Sequence, residues 1–465
     1  MSNNLIAGAT IDGKKISSPG HYQTAHISLF PHNPGDLKGG KIDIKEIVGR
    51  INIFESITQA SIFVKLMVVD SGNLLETLRI SGNEKIHVHL YQDIHKPAIR
   101  KEIDIEVYIS DILNYAKPSV GAQTFEIQAV SKEALLNQWT TLCSEFNDSV
   151  TNLVEGICQS HLEVTQGEVN LAPTDANEKP GGGGQVKGIY PNLKPFKAIN
   201  WLTRSALVDG SPFFFFDSLR KNGKGVSKRQ LQLHTYKELI KQPIIDTFNN
   251  IPFFQEKERT EEKFYTAQLR KIKKISSDLN ISTFNNIAKG GYASTTISVD
   301  LSTKKYKETE FKYEEKIKPE ITKDERFFPS FNKQAFPEGG KDAKKIYVSE
   351  NSQAYGEDTK NYHSTVKENA GEAQAWMVNA ESTMHKLVLA GNPDLYAGGM
   401  IELDIAKAVD KEMAENEKSK SDEYMSGIYM IRNLEHKFDG REYQTIVDVV
   451  KNSSKLDLES AVKIS

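Results

Sequence analysis

Residues 427–449 read GIYMIRNLEHKFDGREYQTIVDV, and this stretch decides the fold. Apolar and polar residues alternate on both sides of the dipeptide Asp439–Gly440. Alternation with a period of two is typical of a half-buried strand, and an Asp-Gly turn between two such runs is a strong hairpin signal. The stretch therefore predicts an antiparallel hairpin and a β-rich architecture around it.

An earlier part of the chain has the same plan. Residues 107–131, VYISDILNYAKPSVGAQTFEIQAVS, also predict a hairpin. Before each hairpin comes an alternating strand that follows glycine: Gly82 precedes KIHVHLY, and Gly398–Gly399 precede MIELDIA. Each segment offers about four strands in the same order, which indicates an internal repeat. Two unrelated antiparallel sheets would give the same periodicity, and this alternative stays open.

An open sheet leaves N–H and C=O groups along its edges, and these groups must pair with another chain or be protected. A chain with two similar open sheets can place both around one axis. Three such chains would supply about six sheets, and head-to-tail contacts could close them into a ring without edges. The periodicity permits this ring as one option.

Composition and periodicity divide the chain into successive segments. We predict an α+β, β-rich fold with two similar antiparallel sheet domains in one chain and an inserted α/β domain. The predicted segments are an N-terminal arm (1–40), β domain I (41–131), the inserted α/β domain (132–240), a mixed connecting region that packs in part with domain I (241–360), β domain II (361–453) and a C-terminal tail (454–465).

The composition excludes several classes of protein. Lys plus Arg number 59 and Asp plus Glu 62, so the net charge of −3 argues against affinity through a global positive charge, as in most duplex-DNA binders. No stretch approaches the roughly 18 consecutive apolar residues of a membrane span. The N-terminal sequence lacks the basic start and apolar core of a secretory signal. Cys143 and Cys158 match no metal or redox spacing, so we expect folding in a reducing cytoplasm.

The polar faces of two predicted strands are the candidate functional surfaces. Lys85, His87 and His89 alternate with apolar residues, as do Glu402 and Asp404 in the corresponding strand of the second segment. Two histidines on one strand face can ligate a metal, but the sequence offers no third ligand nearby, which favours a polar surface. If such a ring encloses a channel, acidic groups on its wall would repel phosphate groups inside it. We therefore predict a channel-facing or interface role, with no metal and no cofactor.

Three other motifs have simpler explanations. GGGGQVKG at 181–188 lacks the residue order and the preceding strand of a phosphate loop, which favours a flexible linker. Phe213–Phe216 fit a buried strand better than an exposed aromatic platform. The charged residues 407–423 form either a solvated loop or short helix, or a projection that touches an adjoining ring.

Catalytic signatures are absent from the sequence. There is neither a Gly-x-Ser-x-Gly elbow nor a His-Glu-x-x-His motif, and acidic pairs carry no weight in a chain with 62 carboxylates. We predict a protein that is not an enzyme. The alternative from another class is a cell-wall-active enzyme or a carbohydrate-binding module.

Several stretches together carry a family likeness. The chain resembles the central baseplate hub protein of contractile-tailed, T-even-like phages. The matching stretches are ESITQASIFVKLMVVDSGNLLETLRISGNEKIHVHL (55–90), YPNLKPFKAINWLTRSA (190–206), GGYASTTISVDLSTKKYKETEFKY (290–313), LVLAGNPDLYAGGMIELDI (387–405) and GIYMIRNLEHKFDGREYQTIV (427–447).

The resemblance implies that β domains I and II are two tube-like sheet domains of one chain. It further implies a structural homotrimer with pseudo-six-fold symmetry, which joins the hexameric ring of the tail tube protein to the trimeric central spike. It also implies contacts with other baseplate proteins and a channel through which phage DNA passes without specific binding. Such a protein is made and assembled in the host cytoplasm and resides in the tail baseplate of the virion. Related domains occur in type VI secretion spikes, so the hub of a bacterial contractile injection machine is the alternative within this class.

Overall fold

The structure is a computed structural model that describes the larger part of the chain. The described residues are 10–11, 14–15, 22–32, 37–92, 101–119, 121–165, 169–171, 185–204, 206–208, 211–221, 225–250, 267–277, 283–317, 342–350, 362–381, 385–406, 422, 425–440 and 442–451.

Strands dominate these ranges. In chain order they are β1 (Thr10–Ile11), β2 (Lys14–Lys15), β3 (Gln23–Phe30), β4 (Ile42–Asp43), β5 (Val48–Ser56), β6 (Phe63–Asp70), β7 (Lys85–Gln92), β8 (Lys101–Ser119), β9 (Ala122–Val130), β10 (Glu145–Ser149), β11 (Val169–Leu171), β12 (Gln185–Ile189), β13 (Leu207–Val208), β14 (Ser211–Lys221), β15 (Val226–Thr235), β16 (Ile244–Asn249), β17 (Ile272–Ser277), β18 (Ala293–Asp300), β19 (Lys305–Lys312), β20 (Lys345–Glu350), β21 (His385–Ala390), β22 (Met400–Asp404), β23 (Gly427–Asp439) and β24 (Glu442–Lys451).

The helices are fewer and mostly short. They are α1 (Leu74–Thr77), α2 (Lys132–Trp139), α3 (Val150–His161), α4 (Pro195–Thr203), α5 (Tyr236–Ile240), α6 (Thr283–Lys289), α7 (Tyr313–Lys316) and α8 (Tyr362–Glu381). Within the described ranges, no helix combines the length and apolar character needed to cross a membrane. The predicted α+β, β-rich fold class is confirmed.

Module I is the sheet formed by β3 and β5 to β9. Its hydrogen-bonded neighbours follow the order β3–β7–β8–β9–β6–β5, and every pairing is antiparallel. Along β7, Ile86, Val88 and Leu90 are buried, while the polar residues between them lie on the opposite face. The alternation in the sequence thus produces one apolar face that packs inward.

Module II is the sheet formed by β16, β17 and β21 to β24. Its neighbours follow the order β16–β22–β23–β24–β21–β17. The β16–β22 pairing is parallel and the others are antiparallel. The backbone N–H of Asn249 donates to the carbonyl oxygen of Arg270 at 3.0 Å, which ties β16 to the start of β17. This contact precedes β17, and among the described residues no strand pairing joins β16 to Ile272–Ser277.

The two modules have the same topology. If the strands of each module are numbered in chain order, both follow the order 1–4–5–6–3–2. Each module also has a β-bulge at the same place in its fifth strand. The pairing register shifts at Ser110 in β8 and at Arg432 in β23. Immediately before these bulges, Ile109 and Ile431 each donate a backbone hydrogen bond to the residue just before the fourth strand. The modules differ in their first strand, which is antiparallel in module I and parallel in module II.

The structure corrects the sequence-based expectation at several places. Residues 23–30, expected in an irregular arm, form β3 and pair with β7. β16 and β17 lie in the region expected to connect the domains and to pack in part with domain I, and both of these strands pair within module II. β17 was missed because a strand with few apolar residues, here IKKISS, has a weak period-two pattern.

Two charged or glycine-rich motifs are only partly described. Residues 185–188 of GGGGQVKG, expected to be a linker, belong to β12 and pair with β10, whereas residues 181–184 lie outside the described residues. Within the charged segment 407–423, the structure describes only Asp422. The interpretation of that segment therefore stays a prediction.

The inserted domain packs between the modules through β14. Phe213 and Phe215 belong to a core with α3 and α4, whereas Phe214 and Phe216 join a second core with Tyr236 and Trp376. The run of phenylalanines is thus the buried strand that the sequence predicts, with alternate side chains on opposite faces. The domain is joined to module I by parallel pairing between β15 and β8.

A third sheet, β19–β18–β20, packs against α8. The contact needs Gly371, because a Cβ atom at this position would lie 2.5 Å from Cβ of Phe311. Trp376 on the same helix is buried in the core that α8 shares with β14 and module II.

Candidate assembly interface

The two modules share one strand. The first part of β23 pairs with β22 inside module II, and its second part pairs antiparallel with β5 of module I, from Asn433 opposite Ser56 to Asp439 opposite Arg50. β24 runs along the other side of β23. We call the β5–β23 pairing the seam, and it makes the modules parts of one continuous sheet.

Side chains reinforce the seam on its polar face. Arg50 forms an ion pair with Asp439 at 2.8 Å, and the hydroxyl of Ser56 donates to Oδ1 of Asn433 at 2.7 Å. Asn52 also donates to Glu435. Because polar pairs recur along the whole pairing, the register of the seam is set by side chains as well as by the backbone.

A buried carboxylate joins three parts of the molecule at the seam. One oxygen of Glu55 accepts hydrogen bonds from the backbone N–H groups of Leu219, at 3.2 Å, and Ala397, at 3.1 Å. The other oxygen lies 3.5 Å from Nε2 of His436, whose Nδ1 is 2.7 Å from the hydroxyl of Tyr443. Burying a carboxylate is costly unless it is hydrogen-bonded, so this arrangement ties module I, the inserted domain and module II in one geometry.

The loop at residues 391–399, GNPDLYAGG, crosses this junction, and we call it the central loop. Its Gly391 carbonyl accepts from the side chain of Gln92 at 2.8 Å, and its Pro393 carbonyl accepts from the hydroxyl of Ser227 at 2.9 Å. Module I and the inserted domain thus both contact the central loop. Gly391 itself packs against Tyr443, since an added Cβ would lie 2.1 Å from Cδ1 of that ring.

Charged side chains from module I and the inserted domain contact the central loop. Asp394 lies 2.7 Å from the Lys101 ammonium and 3.2 Å from that of Lys221. Burial alone would raise the pKa of Asp394, but the two lysines outweigh it and hold the pKa below its ordinary value. The guanidinium of Arg220 stacks over the ring of Tyr396, 3.6 Å from its centroid. These contacts fix the orientation of the modules relative to the inserted domain.

A second buried charge cluster links module I to the inserted domain. Arg229 of β15 lies 2.8 Å from Asp217 and 2.6 Å from Glu133, and Asp217 also accepts from the backbone N–H of Ile62 at 3.3 Å. Burial raises the pKa of Asp217 to about 6, although Arg229 opposes this effect. The sequence offered no signal for this cluster, because its members lie on separate elements.

Two strand edges match the seam edges but pair with no described residue. Beyond Ile109, β8 corresponds to the part of β23 that pairs with β5, and it pairs only with β9. This edge carries Leu113, which is 43% exposed, and Tyr115, which is 51% exposed. Such exposure of large apolar side chains on a free strand edge is unusual for a protein that works as a monomer.

The matching edge in module II is β17, which corresponds to β5. Both strands carry a bulge at the same place, at Gly49 in β5 and at Lys273 in β17. β17 pairs with β21 on one side, and its side chains Lys273, Lys274 and Ser276 are exposed. Among the described residues, no strand pairs with the side that β5 uses for the seam.

The predicted polar faces lie on the fourth strand of each module. When the two modules are matched by their strand pairings and bulges, His87 of β7 occupies the position of Glu402 in β22, and His89 occupies that of Asp404. Glu402 accepts from the hydroxyl of Thr247 at 2.8 Å. Lys85 forms an ion pair with Glu106 at 3.0 Å. The structure does not bring the two faces together, since they belong to different modules.

The histidines of β7 have partners that the sequence did not indicate. Nε2 of His87 lies 2.5 Å from Asp104, and Nε2 of His89 lies 2.9 Å from Glu102. His26 of β3 also approaches this face, and it was missed because β3 was not recognised as a strand. In the described part of the chain, no group of three or more His, Cys, Asp or Glu residues is arranged to hold a metal ion.

Comparisons with known proteins give matches to solved structures alone. No family model matches the chain, and no curated protein matches it. The tail protein from Neisseria meningitidis is 10% identical with a TM-score of 0.46, over 93% of this chain and 97% of that one. The 43 kDa tail protein of prophage MuSo2 from Shewanella oneidensis is 11% identical with a TM-score of 0.46, over 92% and 98%.

A component of the type VI secretion system of E. coli is 9% identical with a TM-score of 0.41, over 87% of this chain and 74% of that one. The structural neighbours of the chain are thus phage tail proteins and proteins related to type VI secretion.

Proposed function

We propose that the protein is the structural hub of a contractile phage tail. It acts as a homotrimer with pseudo-six-fold symmetry, which joins the hexameric tail tube to the trimeric central spike and surrounds the DNA channel. Its role is assembly and not catalysis. The observation that carries the proposal is the seam: β23 pairs with β5 within the chain, while the matching edges of β8 and β17 are exposed.

Ring closure follows from the topological repeat. The fifth strand of module II pairs with the second strand of module I through the seam. In the proposed ring, the fifth strand of module I in one chain, β8, pairs with the second strand of module II in the next chain, β17. The same contact is then used between chains and within them, and three chains place six modules around one axis. Strand addition of this kind removes the exposed edges and buries Leu113 and Tyr115.

We also propose that the polar faces of the fourth strands line the channel or a ring interface. Their positions alternate in chemistry around the ring, with His87 and His89 in module I and Glu402 and Asp404 in module II. Carboxylates at the lumen would keep the phosphates of passing DNA from binding. Replacing both Glu402 and Asp404 by lysine should therefore slow DNA delivery without preventing ring assembly. Unchanged delivery would remove this assignment.

The ring is tested by cross-linking across the proposed contact. In a Cys143→Ser background, Tyr115→Cys on β8 and Ser276→Cys on β17 place one thiol on each edge. Mild oxidation should give covalent species of two and three chains and none larger. The matched control combines Ser276→Cys with Tyr347→Cys, because Tyr347 is 73% exposed but lies on the third sheet. The control pair should stay uncross-linked.

The oligomeric state is measured separately by size-exclusion chromatography with light scattering, with and without the neighbouring spike protein. We expect three copies when the spike is present, since a trimeric partner provides a template for closure. A strict monomer or an even-numbered oligomer under both conditions would contradict the hub. Equal cross-linking of the two cysteine pairs would contradict the β8–β17 contact.

A further inference from the structure

Three imidazole rings meet on the polar face of module I. In the ladder between β3 and β7, His26 lies directly opposite His89. The centroid of the His26 ring is 4.6 Å from that of His87 and 5.3 Å from that of His89. This cluster holds the start of β3 against its neighbouring strand.

The cluster can hold a limited number of protons. Nε2 of His87 faces the Asp104 carboxylate, which only accepts hydrogen bonds, so this nitrogen carries a hydrogen. Nδ1 of His87 lies 3.1 Å from Nε2 of His26. One of these two nitrogens must donate and the other accept. When both rings are fully protonated, both nitrogens carry hydrogens and the bond between them is lost.

Protonation would also place like charges in direct opposition. Charged side chains of one sign facing each other across an antiparallel pair are destabilising. The histidines of β7 have carboxylates beside them on β8, Asp104 and Glu102, and Lys228 of β15 lies 3.4 Å from Asp104. His26 has no such direct carboxylate contact among the described residues.

The surroundings of His26 also disfavour its charge. Burial lowers its pKa below the ordinary value, His87, His89 and Lys41 lower it further, and only Asp43 opposes them. One oxygen of Asp43 already accepts from the backbone N–H of Ile27 at 3.1 Å. A histidine with a lowered pKa stabilises the fold above its ordinary pKa, and that contribution is lost as the pH falls.

β3 supports the seam from outside. Tyr22, immediately before the strand, donates its hydroxyl to the carbonyl of Gly440 at 3.0 Å and stacks edge-on against Phe438 at 4.8 Å. Within the described residues, β3 itself pairs only with β7 and β4. Release of β3 would therefore withdraw Tyr22 from the hairpin of module II and expose the edge of β7.

We propose that β3 is an acid-releasable latch: protonation of the cluster of His26, His87 and His89 detaches Gln23–Phe30 from β7 and frees Tyr22 from the seam. This conformational device stands on the geometry of module I and is independent of the ring.

Hydrogen–deuterium exchange on the full chain tests the latch. Exchange is measured at about pH 7.5 and about pH 5, and rates are corrected for the intrinsic effect of pH. Amides of residues 23–30 should exchange at least about tenfold faster at the lower pH after correction, which corresponds to about 1.4 kcal/mol of lost protection. Amides of β24 should keep their protection.

Two variants identify the cause. His26→Gln keeps a hydrogen-bonding side chain but takes up no proton, so residues 23–30 should stay protected at the lower pH. His89→Gln removes the charge opposite His26 and should give the same result. This second variant tests the proposal if His26→Gln loses protection at both pH values. The control is His32→Gln, since His32 has a side chain that is 53% exposed and should behave as the unaltered chain. Equal protection of the unaltered chain at both pH values, or acid release in both His26→Gln and His89→Gln, would overturn the proposal.

Discussion

The carboxylate of Glu55 lies 3.5 Å from Nε2 of His436, and both side chains have no exposed surface. Glu55 is on the seam strand of module I, and His436 is on the seam strand of module II. One oxygen of Glu55 accepts the backbone hydrogen bonds of Leu219 and Ala397, and the other oxygen faces His436. The pair thus lies in the contact that sets the position of module I relative to module II.

Glu55→Ala should strongly destabilise the chain. The change leaves two buried N–H groups without an acceptor and His436 without its neighbour. Removing one partner from such a buried arrangement lowers the free energy of unfolding by about 3 to 5 kcal/mol. Glu55→Gln keeps one acceptor oxygen and should cost less. Urea unfolding of the full chain measures both. Glu106→Ala is the control, because Glu106 is 53% exposed and its pair with Lys85 is worth under about 1 kcal/mol. Equal losses in Glu55→Ala and the control would count against the role of the seam carboxylate.

Gly391→Ala should lower the melting temperature. The added methyl group would meet the fully buried ring of Tyr443 at 2.1 Å, and Tyr443 cannot move because it stacks on Phe438 at 4.2 Å. Overpacking of this kind costs about 1 to 3 kcal/mol. Gly121→Ala is the matched control, since no atom lies within 4 Å of its added Cβ. Thermal unfolding followed by circular dichroism separates the two, and the prediction fails if Gly391→Ala melts like the control.

Asp394→Asn should destabilise the central loop, and the effect should depend on pH. The lysines at 101 and 221 hold the pKa of Asp394 below its ordinary value against the opposing effect of burial. Such a carboxyl contributes stability above its ordinary pKa of about 3.9, and the contribution is lost as the pH falls below that value. At neutral pH we expect a loss of about 1 to 3 kcal/mol. The difference between variant and unaltered chain should shrink on acidification, and a constant difference would contradict the ion pairs.

Acid should weaken module II through His385. Burial lowers the pKa of this imidazole to about 4, with Lys451 adding to the effect. The neutral ring lies 2.9 Å from the hydroxyl of Ser277 and 3.1 Å from that of Tyr429. Its contribution is present above about pH 6.5 and is lost as the pH falls toward 4, up to about 3 kcal/mol. Urea unfolding across this range should show a smaller pH dependence in His385→Gln than in the control His161→Gln. Identical slopes would contradict the assignment.

The elements with strong alternation could be predicted from the sequence. The hairpins at 107–131 and 427–451 and the fourth strands have apolar residues at every second position, and this pattern alone places them in sheets. The run of phenylalanines is instead continuously apolar over a short stretch, which fits a strand buried on both faces. β3 and β17 could not be predicted in this way. Half of the side chains in β3 and most of those in β17 are polar, and both segments are strands because a neighbouring strand offers its N–H and C=O groups, which a local pattern does not reveal.

The candidate interface was likewise predicted only in part from the sequence. The polar faces at His87 and Glu402 were predicted as equivalent, and the registers place them at equivalent positions. The seam was not predicted, since Asn52 and Glu435, which contact each other there, are 383 residues apart. Contacts at such separation depend on how whole modules dock.

By itself, the sequence determined that this chain is rich in half-buried strands, because the spacing of apolar residues sets which face of each strand is buried. Only the tertiary structure decided that the two modules share one strand order, that the second part of β23 pairs with β5 on one side and β24 on the other, and that the corresponding edges of β8 and β17 are left exposed. The physical reason is that backbone groups on a strand edge are chemically alike at every residue. Their partner is therefore chosen by the side chains that orient the modules, such as the buried Glu55 and the half-buried Asp394, and not by the strand's own sequence.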